Sequence, residues 1–170
     1  MKQKQAIFHN ILLYSIFLIY IAILFMLLFM RSNSSRSYNI IPFHTINNYL
    51  FSDDIIIRSF AVSNLVGNII LFFPLGAYIT LFNRNKSVRT NVIWVLIIGV
   101  VVEICQYILM RGVADIDDII LYLLGGGIGI MAYRTLLFFF KDAKRVRYVV
   151  EIIAPITGVI FFLALFLYNR

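Results

Sequence analysis

Apolar residues fall along this chain in five long blocks separated by short polar segments. The blocks run over about Ile7–Met30, Ser59–Phe82, Val92–Met110, Ile119–Phe140 and Tyr148–Tyr168. A helix needs about 20 apolar residues to cross the hydrocarbon core of a bilayer, and helical backbone satisfies its own hydrogen bonds there. Each block therefore predicts a transmembrane helix. The pattern as a whole predicts an all-α, polytopic membrane protein: a five-helix transmembrane bundle that makes residues 1–170 a single membrane domain. The first block follows Lys2 and Lys4 and has no small-x-small cleavage pattern after it. It also exceeds the roughly 7–15 apolar residues of a signal-peptide core, so it is expected to stay in place as an anchor helix.

The polar segments orient the bundle. With the N-terminus inside, the inner segments carry nine basic residues, Lys2, Lys4, Arg84, Lys86, Arg89, Lys141, Lys144, Arg145 and Arg147. The outer segments carry five, Arg31, Arg36, Arg58, Arg111 and Arg170. Short, strongly basic loops stay on the cytoplasmic side, so the N-terminus is expected in the cytoplasm and the C-terminus outside. The longest loop, Arg31–Arg58, then lies outside. Its stretch Tyr38-Asn39-Ile40-Ile41-Pro42-Phe43 is apolar enough to lie along the membrane interface, and Asp53-Asp54 before Ile55-Ile56-Ile57 reads as an amphipathic lead-in to the second span.

Composition agrees with this picture. The chain has 170 residues, of which 62% are hydrophobic and 14% charged, more apolar surface than a soluble domain of this length could hide. The net charge of +7 follows the topology, and no nucleic-acid partner is inferred from it. The single cysteine, Cys105, lies inside a span, with no disulfide partner and no metal-ligand spacing. It reads as a small buried hydrophobe. No internal repeat, cofactor motif or metal motif stands out. Membrane lipids are the expected surroundings, and the cell membrane the expected location.

Glu103 interrupts this apolar pattern. A carboxylate at membrane depth costs about 2.5–3.5 kcal/mol on insertion scales, so it calls for a partner or a use. Helical rise places Glu103 roughly 10 Å below the outer surface, with Gln106 on the same face. Asn64 and Asn68 share a face of the second span at similar depth. Arg111, Asp115, Asp117 and Asp118 lie at the outer lip of the third and fourth spans. Asn64, Asn68, Glu103, Gln106, Arg111, Asp115 and Asp118 are therefore the candidate polar pocket. A structural clasp would need only one or two such residues.

The aspartates have their own alternatives. They can bind a divalent cation, or cap the fourth span, which is the role expected of Asp117. Arg111 can clamp a phosphate or pair with Glu103 or Asp115. His44 is the only outer histidine and is weak evidence of catalysis. Beneath the polar layer, Gly67, Gly76, Gly99, Gly125-Gly126-Gly127 and Gly129 allow close helix approach. Asp118, Tyr122, Gly125 and Gly129 fall on one stripe. Pro74 is expected to kink the second span or to loosen one of its backbone bonds.

The ordered series Asn64-Leu-Val-Gly67-Asn68-Ile-Ile-Leu-Phe72-Phe-Pro74-Leu-Gly76, Glu103-x-x-Gln106, Arg111, Asp115-Ile-Asp117-Asp118, Gly125 and Gly129 resembles the VanZ-like family. So does the upstream Asn39-Ile-Ile-Pro42-Phe43, and the resemblance covers about residues 36–134. It implies a bacterial polytopic membrane protein, in a family whose founding member is associated with low-level resistance to teicoplanin-type glycopeptides. This chain has Tyr122 where that family usually has asparagine, which would alter a pocket that needed the amide.

Three functions compete. In the first, an outer-leaflet pocket binds a lipid, a cell-wall precursor or a lipoglycopeptide without chemistry. In the second, an intramembrane enzyme acts on a lipid-linked phosphate with Glu103 as acid or base. In the third, the protein is a structural or regulatory partner of another membrane protein, using the fifth span and the basic Lys141–Arg147 loop. A transporter is less attractive, because the hydropathy shows no inverted repeat.

Overall fold

The computed structural model describes residues 2–30, 35–51, 54–83 and 87–168, with side chains over 7–30, 35–48, 51, 54, 62–83 and 87–156. Arg31, Asp53, Arg84, Lys86 and Arg170, and the side chains of Lys2, Lys4 and Arg58, lie outside the described residues. In order, the elements are α1 (Lys2–Phe29), β1 (Tyr38–Asn39), α2 (His44–Leu50), α3 (Ile55–Phe82), α4 (Val88–Leu109), β2 (Ala114–Asp115), α5 (Ile116–Phe140) and α6 (Ala143–Tyr168).

The protein is mostly helical, and among the described residues four stretches are long and apolar enough to cross a membrane: Ile7–Phe29, Val62–Phe82, Val88–Leu109 and Ile116–Phe140. The fifth expected span corresponds to α6. Its described half carries Lys144, Arg145, Arg147 and Glu151, and its more apolar half, from Thr157 on, lies outside the described side chains.

Local chemistry sets the helix ends. Ser87 caps α4 by accepting a hydrogen bond from the Thr90 amide at 3.3 Å. Met110, in the left-handed region at φ 54°, ends that helix. Lys141, at φ 52°, ends α5, and the Asp142 carboxylate accepts from the Lys144 amide at 2.8 Å where α6 begins. Pro74 does not interrupt α3, which runs unbroken from Ile55 to Phe82.

The chain divides into two compact units, 1–25 with 135–170, and 26–134. In the first, α6 is fastened to the start of α1. His9 Nδ1 lies 2.8 Å from Glu151 Oε2, Arg147 Nη1 donates to Asn10 Oδ1 at 2.8 Å, and the Tyr148 ring meets His9 edge-on at 4.6 Å.

The second unit is built around α3, α4 and α5. Its buried core includes Leu65, Phe72, Leu75, Leu81, Val95, Leu121, Tyr122 and Ile130. Helices α3 and α5 run parallel, matched in order along the expected α5 stripe. Asp118 meets Asn68, Tyr122 stacks on Phe72 at 3.8 Å, and the Gly125 and Gly129 backbones press on the Ile69 and Phe73 carbonyls. A side chain at either glycine would occupy space those carbonyls fill. Gly76 is closed in the same way by the Gly126 carbonyl, and Gly126 by the Val95 side chain. The expectation of close approach does not extend to Gly67 or Gly127, where an added methyl would meet nothing within 4 Å.

A second polar cluster ties α3 to α4 at their connected ends. Asn91, fully buried, donates to Thr80 Oγ1 at 3.1 Å, and Thr80 donates in turn to the Gly76 carbonyl at 2.9 Å. The pattern analysis did not single out this pair, although Thr80 and Asn91 flank one short loop and so must share a depth.

Candidate functional site

At the opposite ends of α3 and α4, residues 35–51 form defined local structure. Tyr38–Asn39 pairs in parallel with Ala114–Asp115, residue 38 against 114 and 39 against 115. Phe43 then takes the left-handed conformation at φ 62° and opens the short helix α2. Among the described residues, these two-residue strands are the one departure from an all-helical architecture. The pairing is possible because Met110 at φ 54° and Gly112 at φ 142° reverse the chain directly after α4.

Two aspartates hold this segment. Asp117, at the start of α5 and fully buried, accepts the Phe43 amide at 2.5 Å on Oδ1, and the Thr45 and Ile46 amides at 2.8 and 3.1 Å on Oδ2. It therefore caps α2 across the fold, supplying the acceptor that Phe43 at the N-cap lacks. The sequence pattern assigned Asp117 to the cap of its own helix. Its first-turn position does suit the α5 dipole, but its carboxylate oxygens serve a helix over 70 residues away.

Asp115 accepts from Asn39 Nδ2 at 2.9 Å, from Thr45 Oγ1 at 2.5 Å and from the Asp117 amide at 2.9 Å. Asn39 Nδ2 also lies 3.0 Å from Thr45 Oγ1. Asn39 and Thr45 are thus the site residues that the sequence reading missed as individuals. Asn39 stood in the quoted loop motif, while Thr45 carried no signal of its own.

Glu103 lies beneath this layer. Its Oε2 accepts the Asp115 backbone amide at 2.7 Å, so the carboxylate of α4 is bonded to β2, the strand that pairs with the segment above. Glu103 is buried, and Oε1 has no hydrogen-bond partner among the described residues. The neighbouring polar group is the Tyr122 hydroxyl, also buried and also without a hydrogen bond of normal geometry. The Tyr122 ring is held between Phe72 and the bare face of Gly99.

Of the expected pocket, the structure brings together Glu103, Asp115, Asp118 and Asn68, the last two joined by a hydrogen bond of 2.7 Å. Three residues stand apart. Gln106, although buried, turns to α1 and donates to the Leu28 carbonyl at 2.8 Å. Asn64 is half-buried, one turn before Asn68, and among the described residues no hydrogen bond draws it to Glu103, Asp115 or Asp118. Arg111 is exposed on the outside of the Met110–Gly112 turn and pairs with neither Glu103 nor Asp115. The turn that lets β2 fold back towards Glu103 carries Arg111 the other way. Cys105 is half-buried and free, and His44 is exposed, with Asn48 as its neighbour at 3.2 Å.

The family model described as VanZ/LLP1 matches residues 11–140, most of the chain and all of the site. The chain belongs to the VanZ/LLP1 family. Protein VanZ of Enterococcus faecium is similar to it, 26% identical over 98 residues, which are 58% of this chain and 53% of that protein. The chain thus spans about half the length of that relative. No solved structure matches.

Within this VanZ/LLP1 site the Glu103–Asp115 bond makes a measurable prediction. Glu103→Ala leaves a buried amide without an acceptor, and such a loss costs about 1–3 kcal/mol. Glu103→Gln keeps an acceptor oxygen. Thermal unfolding in detergent is expected to show a clear fall in midpoint for the alanine variant and a small one for the glutamine variant. Equal midpoints for wild type and Glu103→Ala would show that the bond does not support the fold.

Proposed function

We propose that this VanZ/LLP1 protein sits in the bacterial cell membrane with its N-terminus in the cytoplasm and five spans, α6 supplying the fifth. The polar layer of Glu103, Asp115, Asp118 and Asn68 then lies in the outer leaflet. The nine inner basic residues against five outer ones support this orientation. In this reading the layer binds a lipid or another cell-envelope ligand without chemistry. By changing what is accessible at the surface, it lowers susceptibility to teicoplanin-type glycopeptides.

One observation carries the reading. Glu103 and the Tyr122 hydroxyl are buried against each other, and among the described residues neither Glu103 Oε1 nor that hydroxyl makes a hydrogen bond of normal geometry, whereas buried polar groups that serve packing alone are well paired. The kinship with Protein VanZ supports the link to glycopeptides.

The structural reading also has an observation behind it. The oxygens of Asp115 and Asp117 are taken up by donors of the 39–46 segment, so part of the layer is a clasp. The alternative of an enzyme acting on a lipid-linked phosphate gains nothing from Arg111, whose exposed side chain stands away from Glu103.

The test is expression in a teicoplanin-susceptible Gram-positive host. Wild type is expected to raise the inhibitory concentration of teicoplanin several-fold. Glu103→Ala, at matched membrane abundance, is expected to return it to the vector level. In parallel, the purified protein in nanodiscs should bind a lipid-linked wall precursor or teicoplanin saturably. Identical, non-saturable behaviour of wild type and Glu103→Ala would overturn the proposal.

A further inference from the structure

The segment from Ser37 to Ile46 separates its polar and apolar groups. Apart from His44, which is exposed beside Asn48, its hydrogen-bonding groups turn inward: Ser37 through its carbonyl to the Ala114 amide, Asn39 and Thr45 through their side chains to Asp115, and the amides of Phe43, Thr45 and Ile46 to Asp117. The apolar side chains between them stand outward. Tyr38 is 65% exposed, Ile40 71%, Ile41 61% and Phe43 54%, and Phe51 at the end of α2 is 78% exposed.

This arrangement suits one kind of surroundings. A segment facing water would leave apolar groups inside and amides outside, whereas this plate spends its polar groups on the fold and presents side chains that water does not favour. Its edge carries the residues typical of a membrane boundary. Arg36 lies over the Tyr107 ring at 5.9 Å from the centroid, and Tyr38 meets the same ring edge-on at 6.1 Å. Tyr107 lies in the last turn of the apolar α4, so the plate continues a lipid-facing helix surface.

We propose that this plate is an interaction surface for the lipid leaflet itself. Tyr38, Ile40, Ile41, Phe43 and Phe51 seat in the boundary between headgroups and acyl chains, and Asp115 and Asp117 clamp the plate there from beneath. The seat roofs Glu103 with lipid-embedded side chains, so a ligand reaching the carboxylate comes sideways from the leaflet. The plate can seat in lipid whether or not the polar layer binds a ligand, so this inference and the proposed function fail separately.

The chain has one tryptophan, Trp94, which makes the test direct. In a Trp94→Phe background, Ile40→Trp and Phe51→Trp report the plate by fluorescence. The full-length protein is reconstituted in vesicles of phosphatidylcholine and phosphatidylglycerol, brominated either near the headgroup end or near the methyl end of the acyl chains. Both probes are expected to emit at blue-shifted wavelengths, to lose most of their emission to the shallow bromines and less to the deep ones, and to resist acrylamide. Wild-type Trp94, inside α4, serves as the membrane-embedded control. Red-shifted emission quenched by acrylamide and untouched by bromine would overturn the proposal in favour of a water-facing loop. Protection from both quenchers at both positions would overturn it in favour of a protein partner or a second copy.

Discussion

Gly129→Val is expected to yield no monodisperse, folded protein in mild detergent, whereas Gly127→Ala, two residues away, is expected to behave like wild type. A β-carbon at Gly129 would lie 1.9 Å from the Phe73 carbonyl oxygen and 3.0 Å from the Ala77 amide nitrogen, both rigid backbone. One turn earlier, a β-carbon at Gly125 would lie 2.2 Å from the Ile69 carbonyl oxygen. Nothing flexible can yield, so α3 and α5 must part. Overpacking a core where side chains can shift already costs about 1–3 kcal/mol, and separating two backbones exceeds that. It also breaks the Asn68–Asp118 bond and the Phe72–Tyr122 stack that continue the same helix contact. At Gly127 an added methyl meets nothing within 4 Å, and alanine is the better helix former by about 0.5–1 kcal/mol. Size-exclusion profiles and thermal midpoints decide the matter: equal profiles for the two variants would show that the α3–α5 contact is not backbone to backbone.

Asp117→Ala is expected to free the 39–46 segment while leaving the helices assembled. The carboxylate is the acceptor for three amides at the start of α2. Hydrogen bonds to a charged group are worth about 1.5–3 kcal/mol each, and a donor left buried adds its own penalty. Freed amides at a segment end can find water, so the net loss is expected at about 2–4 kcal/mol, concentrated locally. Hydrogen–deuterium exchange should show protection lost at residues 43–46 and little change across α3 and α4. Asp117→Asn, with one acceptor oxygen remaining, should lie between the two. Unchanged exchange at 43–46 in the alanine variant would mean that the segment holds itself. Because the Asp117 amide also donates to Asp115 Oδ1, and the Asp115 amide to Glu103, the same variant shows whether that chain of bonds carries loosening of the plate down to the buried carboxylate.

The helices were legible because lipid leaves the backbone few choices: a long apolar block that must satisfy its own amides is a helix. The depth of Glu103 relative to Asn68 and the aspartates was legible by the same arithmetic, since helical rise is constant. The Asp118–Tyr122–Gly125–Gly129 stripe was legible from periodicity, although which helix it faces was not. Partner choice was illegible where it depended on turns. Gln106 shares a face with Glu103 yet bonds to Leu28, and Arg111 is near Asp115 in sequence yet stands outside, because Met110 and Gly112 redirect the chain between them.

By itself, the sequence determined the helical class, the four described helices long and apolar enough to cross a membrane, and the carboxylate carried on one of them. Those features follow from hydrophobic patterning and from local backbone geometry, which neighbours in sequence settle. Only the tertiary structure decided that Asp117 caps α2 rather than its own helix, and that two-residue strands join segments 76 residues apart. It also decided that Glu103 supports β2 through one oxygen while the other, among the described residues, makes no hydrogen bond of normal geometry. Hydrogen bonds between distant segments depend on where turns bring the donors, and no periodicity in the chain encodes that.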